Sequence, residues 1–157
     1  MNYTIRAMKK EEYSLLNDFL YEAIYIPDGI EPPPKSVTDS PELQVYICDF
    51  GNSKHDKALV AEVKGNIAGA VWARIMNDYG HIDNETPSLA MSVYKEYRGL
   101  GLGTALLKEL LSILKSNEYS KISLSVQKSN YAVKMYEKVG FIVFDEKDEE
   151  YIMVAHL

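Results

Sequence analysis

A glycine-rich loop between a short strand and a leucine-rich helix constrains this fold more than any other segment. The loop reads Arg-Gly-Leu-Gly-Leu-Gly-Thr at residues 98–104, and the apolar run Ser88–Val93 precedes it. A helix that begins at such a loop directs its free N–H groups and the positive end of its dipole toward one point. Strand, loop and helix together predict a binding site for phosphate groups.

Three kinds of phosphate-binding loop can be compared with this segment. A P-loop needs a lysine directly after its last glycine, whereas Thr104 follows Gly103 here. A dinucleotide fingerprint needs glycine or alanine where this chain has Thr104 or Leu106, and no acidic residue ends the following strand. The third pattern, Arg/Gln-x-x-Gly-x-Gly/Ala, is matched by Arg98, Gly101 and Gly103.

The residue types of the third pattern suit a pyrophosphate. Glycines carry no Cβ atom, so the backbone can approach the ligand closely. The N–H groups of the loop can form an anion-binding nest, and Arg98 would add a fixed positive charge beside it. A glycine-rich turn that holds no ligand is the alternative on these residues alone.

The remaining sequence predicts one mixed α/β domain over residues 1–157. Short apolar or alternating runs predict seven strands, at residues 3–7, 58–63, 67–75, 88–93, 122–127, 141–145 and 151–155. Apolar spacings of three and four predict helices, at residues 9–25, 42–50, 130–139 and from the glycine loop to about Asn117. Gly69 indicates a bulge or a close backbone approach, and Gly140 suits a left-handed helix cap.

A proline-rich stretch interrupts this pattern. Residues 27–41 hold five of the six prolines of the chain, so a regular helix cannot continue through them. Long proline-bearing segments inside compact domains are often binding loops. The stretch is therefore either a binding loop or a plain surface connector.

Composition disfavours several classes of function. The formal net charge is −6, and a negative protein is repelled by the phosphate backbone of nucleic acids. Cys48 is the only cysteine, which fits a reducing compartment. The first residues form no apolar secretory segment, and no apolar run is long enough to cross a bilayer. We expect a cytoplasmic protein with no nucleic-acid or membrane partner, and the three scattered histidines predict no metal site.

Two segments resemble the signatures of the GNAT superfamily of N-acetyltransferases. Residues 93–107, Val-Tyr-Lys-Glu-Tyr-Arg-Gly-Leu-Gly-Leu-Gly-Thr-Ala-Leu-Leu, look like its acetyl-CoA-binding motif. Residues 130–141 resemble its second signature, a short helix that carries a tyrosine and ends in Gly-Phe. The first strand and the hairpin of residues 62–69 also occupy fitting positions. The resemblance covers nearly the whole chain and is weakest at residues 27–55.

The resemblance implies an α/β fold with a central mixed, largely antiparallel sheet flanked by about four helices. Acetyl-CoA, the co-substrate, would lie between two splayed parallel strands, Ser88–Val93 and residues 122–127. Small residues alternate along one face of both strands, which would leave room for a pantetheine arm. A polar face turned toward solvent is the alternative.

The resemblance also implies contacts to the co-substrate, residue by residue. The backbone of Met91 and Val93 would pair with the pantetheine amides, as an added strand does. Asn130 would contact the CoA arm, cap its own helix, or do both. The pyrophosphate would be held by the loop residues Arg98, Gly99, Leu100, Gly101, Leu102, Gly103 and Thr104.

Two residues are expected to take part in proton transfer. Tyr136 matches the tyrosine that is commonly the general acid for the departing CoA thiolate, although its helical position also suits a core residue. Glu85, with Asp83 beside it, precedes the co-substrate strand and is the candidate general base; a solvated loop charge is the alternative. Glu22 and Tyr25, at the end of the first helix, are expected on the acceptor side.

These observations predict an N-acetyltransferase that transfers the acetyl group of acetyl-CoA to a primary amine by direct attack in a ternary complex. The acceptor is a small molecule or a peptide, and the residues do not specify which. A non-catalytic acyl-CoA-binding or sensing module is the alternative, and retention of Tyr136 favours the enzyme. A homodimer is a further expectation.

Overall fold

A seven-stranded sheet forms the centre of the molecule in a computed structural model that describes residues 2–157. Its strands are β1 (Thr4–Ala7), β2 (Lys57–Val63), β3 (Asn66–Arg74), β4 (Ser88–Val93), β5 (Lys121–Gln127), β6 (Ile142–Glu146) and β7 (Glu150–His156). The helices are α1 (Leu16–Ala23), α2 (Pro41–Gln44), α3 (Leu102–Ser116) and α4 (Ala132–Val139). The expected mixed α/β architecture, with seven strands and four α-helices, is confirmed.

The sheet is antiparallel at every junction except one. The strand order is β1-β2-β3-β4-β5-β7-β6, and only β4 and β5 run parallel to each other. These two strands register at a single pair, Ser88 with Ser123, and they diverge beyond it. A cleft therefore opens between the carboxyl ends of β4 and β5, which confirms the expected splayed pair.

Each face of the sheet is covered by its own hydrophobic layer. Helices α3 and α4 pack on one face of the sheet. The side of α3 that faces the sheet carries a row of leucines, at Leu102, Leu106, Leu110 and Leu114. The other face packs against α1, whose Leu16, Phe19 and Leu20 are buried with Trp72 of β3. The junction of β4 and β5 therefore lies between two hydrophobic layers. Within residues 2–157, even the longest helix lacks the length and apolarity needed to cross a membrane.

The first predicted helix is only partly α-helical. Residues 9–25 were expected to form one helix, but Lys10–Leu15 is a 3₁₀ helix and α1 follows from Leu16 to Ala23. The carboxylate of Glu12 accepts the N–H of Lys9 at 2.8 Å and pairs with the guanidinium of Arg6 at 2.9 Å. These contacts hold the start of the segment in a tight turn against β1.

The second predicted helix is much shorter than expected. Residues 42–50 were expected to be helical, yet α2 ends at Gln44 and turns follow. Side chains of β3 donate hydrogen bonds to carbonyl groups that would otherwise accept the N–H groups of a continuing helix. Arg74 donates to the carbonyls of Val45 and Cys48. Trp72 donates its indole N–H to the carbonyl of Tyr46 at 3.0 Å. Contacts distant in sequence thus replace the helical hydrogen bonds.

The face of β4 and β5 that carries serines is closed to solvent at three positions, where each hydroxyl is bonded within the protein and is not free for a ligand. Ser88, Ser92 and Ser123 are all buried. The hydroxyl of Ser92 donates to the carbonyl of Phe19 in α1, and that of Ser123 donates to the carbonyl of Gly80, both at 2.7 Å. These small residues therefore allow α1 and the loop of residues 75–87 to approach the sheet closely.

Two predictions about glycines are confirmed. A Cβ atom on Gly69 would lie 2.9 Å from Cγ2 of Val93 and 3.0 Å from the carbonyl oxygen of Ser92, so β3 and β4 approach closely there. Gly140 ends α4 with a φ of 118°, a left-handed conformation that favours glycine.

Candidate active site

The glycine loop borders the larger of two adjoining cavities. This first cavity has a volume of about 860 Å³ and lies where β4, the loop and the start of α4 meet. The end of α1 and the proline-rich stretch close its other side, through Ile24, Pro32 and Pro33. Pro32 and Pro33 of the proline-rich stretch are thus part of the cavity lining, and the hydroxyl of Tyr21 donates to the carbonyl of Pro33 at 2.6 Å.

The backbone of the loop is shaped to approach an anion. Gly99 and Gly101 have φ values of 79° and 83°, and nothing lies within 4 Å of a Cβ atom built on either. No side chain between residues 2 and 157 caps the first turn of α3. The free N–H groups at the start of α3 therefore face the cavity together with the positive end of the helix dipole. This arrangement fits the pyrophosphate of CoA.

Positive charge lies at the same end of the first cavity. Arg98 and Lys95 both line it. The guanidinium Nε of Arg98 donates to the carbonyl of Val93 at 2.9 Å, and Nη2 lies 3.4 Å from a carboxylate oxygen of Glu22. Because Arg98 is half exposed, this ion pair contributes little to stability. It holds the guanidinium beside the loop, where an anionic ligand can compete for it.

Backbone groups of β4 face the cleft. Tyr94 donates its N–H to the carbonyl of Ala68 in β3 at 2.9 Å. Bonded and non-bonded pairs alternate along an antiparallel ladder, so the backbone groups of Met91 and Val93 are directed away from β3. Since β5 has already diverged at this level, the N–H and C=O of Met91 are available to an extended ligand. The carbonyl of Val93 is already bonded to Arg98.

A second cavity, of about 490 Å³, lies between the splayed strands. It is lined by parts of β4, β5 and α4 and by loop residues on the α1 face of the sheet. The two cavities share the lining residues Ala23, Ile24, Tyr25, Met91, Asn130 and Ala132. A ligand in one cavity can therefore reach a ligand in the other.

Tyr136 borders the second cavity from α4. Its side chain is buried, and its ring packs edge-on against Phe141 with the centroids 5.6 Å apart. Burial raises the pKa of Tyr136 to about 12, because a phenolate would be poorly solvated there. The hydroxyl is therefore neutral at physiological pH and can donate a hydrogen bond into the cavity.

Asn130 can take both of the roles considered from the sequence, which are to cap α4 and to contact a ligand. Its Oδ1 accepts the N–H of Ala132 at 2.9 Å and so caps the first turn of α4. Asn130 also lines both cavities. The amide nitrogen remains as a donor toward the cleft.

Most of the site residues expected from the sequence come together at these cavities. The first cavity is lined by Glu22, Tyr25, Met91, Val93, Arg98, Gly99, Gly101, Leu102, Gly103, Thr104 and Asn130. Leu100 is 43% exposed and is not part of the lining. Of the two residues expected on the acceptor side, Tyr25 also lines the second cavity, whereas Glu22 lines only the first. The hydroxyl of Tyr25 accepts a hydrogen bond from that of Ser129 at 3.0 Å.

Glu85 does not join this group. It lies on an exposed turn before β4, where its N–H donates to the carboxylate of Asp83 at 2.9 Å. It lines neither cavity. The strand β4 separates its position from the cleft, because the cavities open at the far end of that strand.

Several lining residues of the second cavity were not anticipated. Tyr46 follows α2, Tyr79 lies in the loop after β3, and Glu150 begins β7. None of them stands in a motif or a periodic pattern. Glu150 is opposite Gln127 in the β5–β7 register, a relation that only the folded sheet creates.

A buried polar cluster lies behind Tyr46. The hydroxyl of Ser88 donates to Oδ1 of Asp78 at 2.7 Å, while Oδ2 of Asp78 is buried without a protein partner in residues 2–157. Burial raises the pKa of Asp78. Burial, followed by the charge of Asp78, raises the pKa of Tyr46, so the Tyr46 hydroxyl stays protonated. The cluster brings a carboxyl group close to the second cavity.

Comparison with known proteins identifies the family of this chain. Residues 21–141 match the profile of the acetyltransferase (GNAT) family. The chain is 30% identical over 114 residues to an N-alpha-acetyltransferase of Sulfurisphaera tokodaii, covering 62% of this chain and 68% of the relative. It is 31% identical over 121 residues to an uncharacterized N-acetyltransferase of Methanocaldococcus jannaschii, covering 73% of this chain and 70% of the relative.

A solved structure has the same fold over its full length. The PaiA N-acetyltransferase of Thermoplasma acidophilum, in complex with coenzyme A, superposes with a TM-score of 0.73 and 22% sequence identity, covering 100% of both chains. The family profile spans the glycine loop, both splayed strands and α4. This chain therefore belongs to the GNAT family of acetyl-CoA-dependent acetyltransferases.

Proposed function

We propose that this chain transfers the acetyl group of acetyl-CoA to a primary amine by direct attack within a ternary complex. The observation that carries the proposal is the junction of the two cavities at Met91, Asn130 and Ala132. One cavity offers an anion-binding loop, and the other adjoins it and has further lining residues of its own. Both substrates can therefore be bound at once, with the reacting groups at the junction.

The first cavity is proposed to hold acetyl-CoA. The N–H groups of Gly99 to Thr104 and the guanidinium of Arg98 would bind the pyrophosphate. The open backbone groups of Met91 would pair with the pantetheine arm along the cleft. That arm directs the thioester toward the junction, next to Asn130.

The proposed chemistry is a single acyl transfer. The amine nitrogen, as the free base, attacks the thioester carbonyl, the new C–N bond forms and the C–S bond breaks. The products are an acetamide and the CoA thiol, and the proton that the nitrogen loses balances the one that the thiolate gains. Holding both reactants at the junction removes much of the entropic barrier.

Tyr136 is proposed to stabilise the departing thiolate by a hydrogen bond. With a pKa of about 12, its hydroxyl is a weaker acid than a thiol, whose ordinary pKa is about 8.5. Complete transfer of its proton to the thiolate would therefore be uphill. A neutral donor fixed in a buried site lowers the energy of the developing charge without giving up its proton.

The expected general-base role of Glu85 receives no support from its position, because Glu85 lies outside both cavities. Among the described residues that line the second cavity, Glu150 supplies the one carboxylate. Kinetics can separate a role of that carboxylate in taking the proton from a role in binding the substrate.

The test is a thiol-release assay with acetyl-CoA and a panel of amines. We expect release that depends on both acetyl-CoA and an amine, with formation of the acetylated amine. Initial rates measured against both substrates should give intersecting double-reciprocal lines, since a ternary complex precedes chemistry. Parallel lines, which indicate an acetylated enzyme intermediate, would contradict direct attack. Tight binding of acetyl-CoA without turnover of any amine would instead identify a binding or sensing module.

A further inference from the structure

We infer that the second cavity selects cationic amines that carry no carboxylate near the reacting nitrogen. The inference rests on the proposed acetyl transfer and names the class of acceptor for that site. It comes from the charges and side chains that line the second cavity, hereafter the acceptor cavity.

The two cavities differ in charge. Lys95 and Arg98 line the first cavity and outnumber the one carboxylate among its described lining residues, Glu22, which pairs with Arg98. The described residues that line the acceptor cavity include no lysine, arginine or histidine, and their one ionisable carboxylate is Glu150. An anionic substrate is therefore favoured on one side of the junction and a cationic one on the other.

Aromatic side chains make up much of the acceptor cavity. Four tyrosines line it: Tyr25, Tyr46, Tyr79 and Tyr136. The face of a tyrosine ring attracts an ammonium group, and the attraction is stronger where water is excluded. Tyr46 and Tyr136 are both buried, so their rings border the part of the cavity that is shielded from solvent.

The polar cluster behind the cavity wall brings no positive charge to the cavity. Asp78 lies beside the hydroxyl of Tyr46 and accepts a hydrogen bond from Ser88. Its second carboxylate oxygen has no protein partner in residues 2–157. A carboxyl group at this depth lowers the electrostatic potential of the cavity whenever it is ionised.

An α-amino acid would fit this cavity poorly. Its carboxylate, two bonds from the reacting nitrogen, would enter a space that offers Glu150, tyrosine rings and the neutral side chains of Gln127 and Asn130, but no cation. A charge moved out of water without a partner of opposite charge is disfavoured. The same amine without its carboxylate keeps the contacts of its ammonium group with Glu150 and the tyrosine rings, and it avoids the repulsion between two carboxylates.

The test compares amines that differ only in a carboxylate: cadaverine against lysine, and tyramine against tyrosine. Each is assayed with acetyl-CoA and the full chain, and kcat/KM is determined from thiol release. We expect kcat/KM to be at least 10-fold higher for the member without a carboxylate in both pairs. Equal or higher values for tyrosine, or for lysine acetylated at Nα as identified by mass spectrometry of the product, would overturn the inference while leaving the acetyltransferase intact. Absence of thiol release with every amine would overturn both.

Substitution of Glu150 tests the proposed contact directly. Glu150→Gln should raise KM for cadaverine about 10-fold with little change in kcat, because it removes the charge that binds the ammonium group. Glu150→Lys should shift the ratio of kcat/KM toward lysine, because the new cation can pair with its carboxylate. Glu149→Gln, one residue earlier and exposed, is the matched control and should behave as the wild type.

The kinetic split decides between binding and proton transfer. A fall in kcat with unchanged KM in Glu150→Gln would assign the carboxylate to the proton of the attacking nitrogen and overturn its role in substrate selection. Melting temperatures of both Glu150 variants close to that of the wild type would show that they fold. An unchanged preference in the folded Glu150→Lys variant would also overturn the assignment.

Discussion

At the scale of single residues, the hydroxyl of Tyr136 is the group whose removal is most informative. Tyr136→Phe keeps the ring packed against Phe141 and deletes only the donor. We expect kcat to fall about 100-fold, the usual contribution of one positioned donor or acid. KM for acetyl-CoA should change little, and steady-state kinetics measures both values.

Tyr3→Phe serves as the control for this substitution, because Tyr3 is 44% exposed and lines neither cavity. It should retain wild-type kinetics. Full activity in Tyr136→Phe would leave Tyr136 as a packing residue of α4 and contradict its proposed role.

The raised pKa of Tyr136 makes a prediction about pH. The donor form exists below the pKa, so a pKa of about 12 keeps the hydroxyl protonated throughout the usual assay range. For an amine with a pKa of about 10.4, kcat/KM should rise from about pH 7 to about pH 10 as the free base forms. If kcat/KM instead fell with rising pH within that range, and the fall disappeared in Tyr136→Phe, the pKa of the phenol would be far below the expected value.

At the scale of elements, two glycines of the loop should respond differently to the same change. Gly101 has a φ of 83°, so Gly101→Ala costs about 1–2 kcal/mol of strain. For a chain of this size the melting temperature should fall by about 2–8 °C. Gly103 is helical, and a Cβ there would lie 3.4 Å from Sδ of Met135, at the far end of a flexible side chain.

Gly103→Ala should therefore leave the melting temperature unchanged or raise it, since alanine is the better helix former. Both variants should bind acetyl-CoA more weakly, because each adds a methyl group to the lining of the first cavity. Calorimetry measures stability and affinity together. Equal loss of stability in the two variants would contradict the argument from backbone conformation.

Sequence reasoning succeeded where the determining contacts are local. The leucine spacing of α3, the loop glycines and the left-handed Gly140 are each set by neighbours along the chain. It failed at residues 45–50, because the carbonyl groups there are taken by Arg74 and Trp72, 26 to 29 residues away. The acceptor cavity was missed for the same reason: Tyr46 and Tyr79 reach it from loops without periodicity.

At the scale of the whole molecule, acetyl-CoA should stabilise the fold. A ligand that binds only the native state at 100 times its Kd adds about 2.7 kcal/mol. The melting temperature should then rise by about 5–10 °C. NAD and ATP have no pantetheine arm for the cleft beside Met91 and should produce no comparable shift in thermal unfolding. A missing response to acetyl-CoA would contradict the assignment of the first cavity.

The homodimer expected from the sequence stays a prediction, and β6 is the place where it can be tested. This strand is an outer edge of the sheet, and Ile142, Val143 and Phe144 are exposed by 58%, 45% and 59%. Exposed apolar edge strands pair readily with a second chain. We expect a concentration-dependent dimer in sedimentation equilibrium, and Phe144→Lys should weaken it.

Ile30→Lys is the matched control for the dimer, because Ile30 is 60% exposed on the proline-rich stretch and far from β6 in sequence. It should leave the association unchanged. A wild-type chain that stays monomeric at all accessible concentrations would contradict pairing through β6.

Trp72 gives this molecule an optical property of its own. It is the only tryptophan in the chain and is fully buried, and its indole N–H is bonded to the carbonyl of Tyr46. The ring of that tyrosine lines the acceptor cavity. Indole emission depends on the polarity and hydrogen bonding around the ring, so we expect a ligand in the cavity to shift the emission of this one tryptophan when it is excited apart from the 12 tyrosines. Fluorescence titration would then follow acceptor binding without a label and without turnover.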